Sequence, residues 1–277
     1  MKNVIEIDNL TKYYGKHRGV TDVSFQVAEG DIFGFLGPNG AGKSTTIRSM
    51  LGLIRFQKGS IRIFDKDIRT DKEAILSEVG YMPSETMFYP AMKVKEMIQM
   101  AAEVRGKDCR KEAEKLCQRL QVDVDKKISD LSLGNRKKVG IVCAMQHRPK
   151  LFVFDEPTSG LDPLMQSEFF KLIQEYVSEG ATCMLSTHVL SEIKNYCQNA
   201  AIMKEGKLLC VDSVGNITRT NAKRVKLQRE GRQESYLYKG DMNELVRDLA
   251  GYDIEDILIE EPALDEIFMH FYESESN

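Results

Sequence analysis

The chain has 277 residues, of which 42% are apolar and 29% charged, and its formal net charge is −3. That balance suits a folded globular core, argues against intrinsic disorder, and gives no basic bias towards nucleic acid or anionic lipid. The longest apolar runs, such as Leu151-Phe152-Val153-Phe154, fall far short of a bilayer span, and the first residues enter a strand pattern rather than a secretory signal. Any work at a membrane is therefore expected to need a second chain.

Taken in chain order, the first thirty residues read as strands. Val4, Ile5 and Ile7 flank polar positions, and Val23-Ser24-Phe25-Gln26-Val27 alternates before a turn at Glu29-Gly30. A buried strand is expected over 31–36, a helix over 43–51 and a strand at Ile61-Arg62-Ile63-Phe64. From about 90 to 143 the pattern turns helical and charged, with helices expected over 93–104 and 110–120; this stretch reads as a helical insert in an α/β core. The core resumes with a strand over 151–154, a helix over 165–178, a strand over 182–185 and a helix from about 189. Strands alternating with helices predict a largely parallel sheet covered on both faces. Beyond about 214, short strands are expected at Val225-Lys226-Leu227, at Tyr236-Leu237-Tyr238 and over 254–259. Helices are expected over 242–249 and 263–272, which together make a small α+β appendage. The six cysteines form no CxxC pair and the four histidines have no ligand spacing, so the thiols read as reduced core residues and zinc is not expected.

The first chemical motif is Gly37-Pro38-Asn39-Gly40-Ala41-Gly42-Lys43-Ser44, with Thr45 next, lying between the expected buried strand and the expected helix. Glycines let the backbone curl so that successive N–H groups point at a phosphate chain, and the helix start adds the positive end of its dipole. Lys43 would reach the β- and γ-phosphates, and the Ser44 hydroxyl would ligate Mg2+. A glycine turn without nucleotide is the alternative.

The second motif is the strand at 151–154 followed by Asp155-Glu156. In a parallel sheet both acids fall at the carboxyl end, where ligands bind. Asp155 would hold the Mg2+ shell and Glu156 would polarise an attacking water as general base, or the pair would only finish a strand. His188, after Leu185-Ser186-Thr187, would either orient Glu156 and its water or merely neighbour a helix cap made by Ser186 or Thr187.

The order of these motifs, together with Leu131-Ser132-Leu133-Gly134-Asn135, Pro157-Thr158 and Ser159-Gly160-Leu161-Asp162, closely resembles that of ATP-binding cassette (ABC) ATPases over residues 3–212. The matching parts are the Walker A loop, signature, Walker B strand with catalytic glutamate, D-loop and H-loop. The resemblance implies an α/β P-loop NTPase (RecA-like) core with an N-terminal antiparallel β subdomain. In that division residues 1–89 and 144–213 make the core, 90–143 the helical insert carrying the signature, and 214–277 the C-terminal accessory region. It further implies ATP and Mg2+ as ligands and Tyr14 as the aromatic that stacks on adenine, the alternatives being Tyr13 as the stacker or both tyrosines as strand-packing residues. Lys43, Glu156 and His188 become the catalytic residues. Ser132, Gly134 and Asp162 would meet nucleotide across a sandwich with a second cassette, Ser132 and the N–H groups near Gly134 acting through a helix N-terminus. A separate membrane permease would place the chain at the cytoplasmic face of a cell membrane, with no nucleic-acid partner.

Two departures from the family pattern stand out. Leu133 and Asn135 replace a glycine and a glutamine of the usual signature, and Ser84 in Gly80-Tyr81-Met82-Pro83-Ser84-Glu85 stands where the Q-loop glutamine is usual, with Glu85 beside it. The segment Glu261-Pro262-Ala263-Leu264-Asp265-Glu266-Ile267-Phe268 resembles the closing segment of cassettes that pair with ABC-2-type exporters, which makes export the leading expectation. The alternatives are a cassette ATPase acting on ribosomes or DNA, and an ATP-binding but weakly hydrolysing partner in a heterodimer. Only one cradle occurs and the span from Lys43 to Asp155 has no room for a long coiled-coil arm, which weighs against the first. The presence of both Glu156 and His188 weighs against the second.

Overall fold

An antiparallel hairpin opens the chain. Strands β1 (Asn3–Tyr14) and β2 (His17–Ala28) turn at Gly15, and alternation buries Ile5, Ile7 and Leu10 against Val23, Phe25 and Val27. The structure is a computed structural model that describes residues 2–218, 223–229 and 231–260, and the chain divides into two units, Met1–Asp212 and Ser213–Asn277. In the first unit β1 also pairs antiparallel with β4 (Lys58–Ile63), which pairs with β5 (Lys66–Asp67), giving the strand order β2-β1-β4-β5.

The second sheet carries the chemistry. Its strands are β3 (Ile32–Leu36), β6 (Val79–Met82), β7 (Leu151–Asp155), β8 (Thr182–Thr187), β9 (Asn199–Lys204) and β10 (Lys207–Ser213), in the order β10-β9-β3-β8-β7-β6. The β9–β3, β3–β8, β8–β7 and β7–β6 pairs are parallel. Helices α1 (Lys43–Met50), α2 (Lys72–Leu76), α3 (Val94–Val104), α4 (Arg110–Arg119), α5 (Leu133–Met145), α6 (Pro163–Ser178) and α7 (Leu190–Tyr196) complete this unit.

β7 shows why the core has two halves. Leu151 and Val153 face a cluster with Ile5, Ile47 and Met184, whereas Phe152 and Phe154 face a cluster with Leu116, Val139, Phe169 and Leu185. The helical stretch therefore has no separate core. Val94, Leu116, Leu120 and Val139 join the same cluster as the sheet residues, and Phe154 meets Phe169 edge-on with ring centroids 5.1 Å apart.

Register then lines up the strand ends. Leu36 lies opposite Thr187, Asp155 opposite Ser186 and Met82 opposite Phe154. The segments that follow β3, β6, β7 and β8 thus leave the sheet at one edge, its carboxyl edge.

The second unit holds α8 (Val214–Thr218), β11 (Lys223–Arg229), β12 (Arg232–Tyr238), α9 (Met242–Leu249) and β13 (Asp256–Glu260). β11 is the central strand of an antiparallel sheet, and Val225 and Leu227 share a small core with Leu245 and Leu249. The exporter-like segment from Glu261 and the helix expected over 263–272 lie outside the described residues.

Candidate functional site

Residues 37–44 leave β3 and curl into α1. Gly42 occupies the helix N-cap at φ 105°, and a Cβ there would stand 2.7 Å from Val20 Cγ1, so only glycine closes the curl without strain. The Lys43 ammonium turns back into the loop. It donates to Gly37 O at 2.6 Å and Pro38 O at 3.2 Å, and its side chain is 5% exposed. A cavity of about 230 Å3 opens over this loop, lined by Tyr14, Gly19, residues 38–45 and Glu156. Tyr14 rather than Tyr13 lines it, and the Lys12 ammonium lies 4.8 Å from the Tyr14 ring centroid. A larger cleft of about 860 Å3, between α3 and α4, takes in none of these motifs.

The two acids after β7 diverge. Asp155 ends the strand fully buried, and its Oδ1 accepts from Ser186 Oγ at 2.6 Å while Oδ2 is buried with no hydrogen-bond partner. Glu156 leaves the strand at φ 51°, a left-handed conformation that costs a non-glycine residue about 1–2 kcal/mol. Its amide donates to Ser186 O at 3.1 Å and to Ser186 Oγ at 3.1 Å, which turns the side chain out of the strand direction towards the loop. Glu156 Oε1 then stands 3.3 Å from Lys43 Nζ, and Oε2 stands 3.4 Å from His188 Nδ1. Neither Ser186 nor Thr187 is the N-cap of α7, which is Val189 without a side-chain cap bond; the Thr187 hydroxyl instead accepts from Val189 N at 2.9 Å and donates to Glu192 Oε2 at 2.6 Å. His188 is left half-exposed with Glu156 as its neighbour.

The remaining expected residues lie away from this cavity. Ser132 is the N-cap of α5, its Oγ accepting from Asn135 N at 3.3 Å, and it is exposed. Gly134 sits so close to the loop at 159–162 that a Cβ would be 2.4 Å from Gly160 O. Asp162 caps α6, accepting from Met165 N at 3.0 Å ahead of Pro163. Ser84 contributes its carbonyl, and Glu85 is exposed; neither lines the cavity.

Sequence reasoning missed Ser186 and Lys137. Lys137, 2% exposed on α5, donates to Ser84 O at 2.6 Å and to Glu156 O at 2.9 Å. Burial pushes its pKa below the usual lysine value against the opposing pull of Asp155, Glu156 and Glu85. The available signal was a Lys-Lys pair heading the apolar run Val139-Gly140-Ile141-Val142, because a lysine on a core-facing helix needs a partner.

A glycine loop, a lysine, an orphaned carboxylate oxygen and a glutamate flanked by lysine and histidine meet at one sheet edge. Comparison with known proteins gives the family. The ABC transporter family model matches residues 20–159. The chain belongs to the ABC transporter family. It is 36% identical over 231 residues to the bacitracin transport ATP-binding protein BcrA of Bacillus licheniformis, covering 82% of this chain and 76% of that one. An uncharacterised ABC transporter ATP-binding protein of Methanocaldococcus jannaschii, MJ1023, is 31% identical over 94% of this chain and its own full length. Among solved structures, an ATP-binding subunit of an ABC transporter superposes with a TM-score of 0.77 at 25% identity, covering 98% of this chain and 100% of that one. The chain is thus an ATP-binding ABC subunit with the P-loop NTPase fold, of a family that hydrolyses ATP to power transport and works as dimers with membrane permeases. No helix among the described residues is long and apolar enough to cross a membrane.

Proposed function

We propose that this ABC subunit cuts ATP at the edge where Lys43, Glu156 and His188 converge, and that it energises an exporter. The observation that carries the reading is the Glu156 carboxylate, held between the Lys43 ammonium and the His188 imidazole over the glycine loop. In this reading the N–H groups of residues 37–45 receive the phosphates and Tyr14 stacks on the base. Lys43 exchanges its loop carbonyls and Glu156 for the β- and γ-phosphate oxygens. Glu156, released from that pairing, accepts a proton from the attacking water, and His188 holds the carboxylate on its other side.

A divalent ion fits the donors present. The fully buried Asp155 Oδ2 has no protein partner, and a carboxylate, a Ser44 hydroxyl and phosphate oxygens form the hard-oxygen set that Mg2+ prefers. Bound there, Mg2+ would neutralise charge on the phosphate oxygens. Ser186 keeps Asp155 in place by bonding its other oxygen.

Ser132, Gly134 and Asp162 lie outside the cavity, which fits their assignment to the ATP of a second cassette. The dipole at the start of α5 is free to meet a γ-phosphate there. Hydrolysis would remove that bridging charge and loosen the pair, a ligand-driven two-state switch. Residues 1–89 and 144–213 form the ATP-binding core in this reading, residues 90–143 carry the signature, and 214–277 are accessory. Export, with a permease in a separate chain at the cytoplasmic face, follows the likeness to the bacitracin transport subunit. The test is mutational. Lys43→Ala should abolish Mg-ATP binding or hydrolysis, and Glu156→Gln should retain ATP and accumulate a dimer in gel filtration; wild-type turnover in E156Q would remove Glu156 as the base.

A further inference from the structure

Glu156 is held in its left-handed conformation from both sides of its α-carbon. On one side its amide bonds to Ser186 O and Oγ, each at 3.1 Å. On the other side its carbonyl accepts from Lys137 Nζ at 2.9 Å, and the same ammonium donates to Ser84 O at 2.6 Å. Lys137 is 2% exposed and reaches both carbonyls from α5, the helix that Ser132 caps. That helix is pressed against the strand and loop below it, for a Cβ on Gly140 would stand 2.7 Å from Thr86 Cγ2 and 3.2 Å from Met82 Sδ. A non-glycine residue at positive φ persists only where its surroundings over-determine it. Release of the carbonyl would let the backbone at 156 relax towards an ordinary conformation and carry the carboxylate away from Lys43 and His188.

We propose that Lys137 is a positioning residue for Glu156, its ammonium clamping the Glu156 carbonyl to that of Ser84 so that the loop after β6 and the catalytic carboxylate hold one register. The site carries no glutamine at position 84, and in this arrangement the loop is tied to the base through its main chain rather than through the Ser84 side chain. Two carbonyl oxygens occupy two of the three ammonium donors, so the donors hold the register, and the acids Asp155, Glu156 and Glu85 keep the buried charge in place. The inference rests on Glu156 acting as the base, and the test separates the two claims.

Full-length K137M, K137Q and E156Q are compared with wild type for Mg-ATP hydrolysis, ATP affinity, thermal unfolding and hydrogen exchange of peptides covering 82–88 and 155–160. K137M, close to lysine in length but without donors, should lower kcat by about tenfold to a hundredfold with KM changed less than about threefold. Its exchange should rise at 84–86 and 156–158 and not across the chain. K137Q, one bond shorter with two donors, should fall between K137M and wild type in both measures. Should K137M fail to fold, K137Q carries the test, with wild-type kcat and protection overturning the clamp. A K137M protein with wild-type kcat beside an inactive E156Q also overturns it, as does a rise in KM that accounts for the whole loss. Wild-type hydrolysis by E156Q would instead remove the base assignment, and unchanged exchange at 84–86 and 156–158 in K137M would remove the clamp by itself.

Discussion

His147 and His188 are the same residue type, yet their surroundings give them opposite characters. His188 stays half-exposed beside the Glu156 carboxylate. His147 is 5% exposed at the end of α5, with Nε2 3.3 Å from Val79 O and Nδ1 buried without a partner. Burial first, and the nearby Arg105 charge second, push the His147 pKa from 6.5 down to about 4. A depressed histidine contributes stability that is whole above about pH 6.5, because only the unfolded chain takes up the proton as pH falls. That contribution is lost through the window down to about pH 4, and the gap is worth about 3 kcal/mol. Wild type should therefore lose stability more steeply than His147→Gln between pH 6.5 and 4, measured by urea unfolding at each pH; parallel pH curves would refute the assignment. Glu156 shows the same dependence on surroundings. Its residue type and place after an apolar strand were legible as a candidate base, but the left-handed turn that aims it comes from Ser186 and Lys137, which are 30 and 19 residues away in the chain.

At the scale of elements, the helices that open on the expected interface are set by side-chain caps. Ser132 begins α5 and Asp162 begins α6, each accepting from a backbone amide three residues on. Asp162→Ala should cost about 1 kcal/mol and lower the thermal midpoint by about 2–4 °C, while Asp162→Asn should restore most of it. Equal midpoints for all three proteins would show that the cap does not matter. Strong periodicity made α3, α4, α6 and α9 readable. α2 is only five residues long and β6 only four, too short for a period to register. β9 and β10 also escaped the sequence reading; Ala200 and Ala201 give β9 a weak strand signature, and its partner β3 lies far off in the chain. Spacing and charge mark the stretch over 90–143 as a helical insert in the α/β core, and its burial adds what the pattern lacks, since its apolar faces share one core with Phe152 and Phe154.

For the whole molecule, membership of a transporter family whose ATP-binding subunits work with membrane permeases makes a permease the expected partner. Affinity purification of the full chain from mildly solubilised native membranes should bring down an integral membrane protein, identified by mass spectrometry. Recovery only with ribosomes would reject the transporter role. Local order alone determined much of this protein: the glycine loop with Lys43 and Ser44, the acid pair after an apolar strand, and the succession of motifs that places the chain among ABC subunits. Those features depend on residue type and short spacing, which a linear reading captures. Tertiary structure alone decided which tyrosine faces the cavity, and that His188 faces Glu156 while neither Ser186 nor Thr187 caps α7. It alone brought Lys137 and Ser186 to grip the backbone of Glu156. Each of these requires segments far apart in sequence to meet at the edge of a parallel sheet, and strand order and register, rather than any local pattern, determine which ones meet.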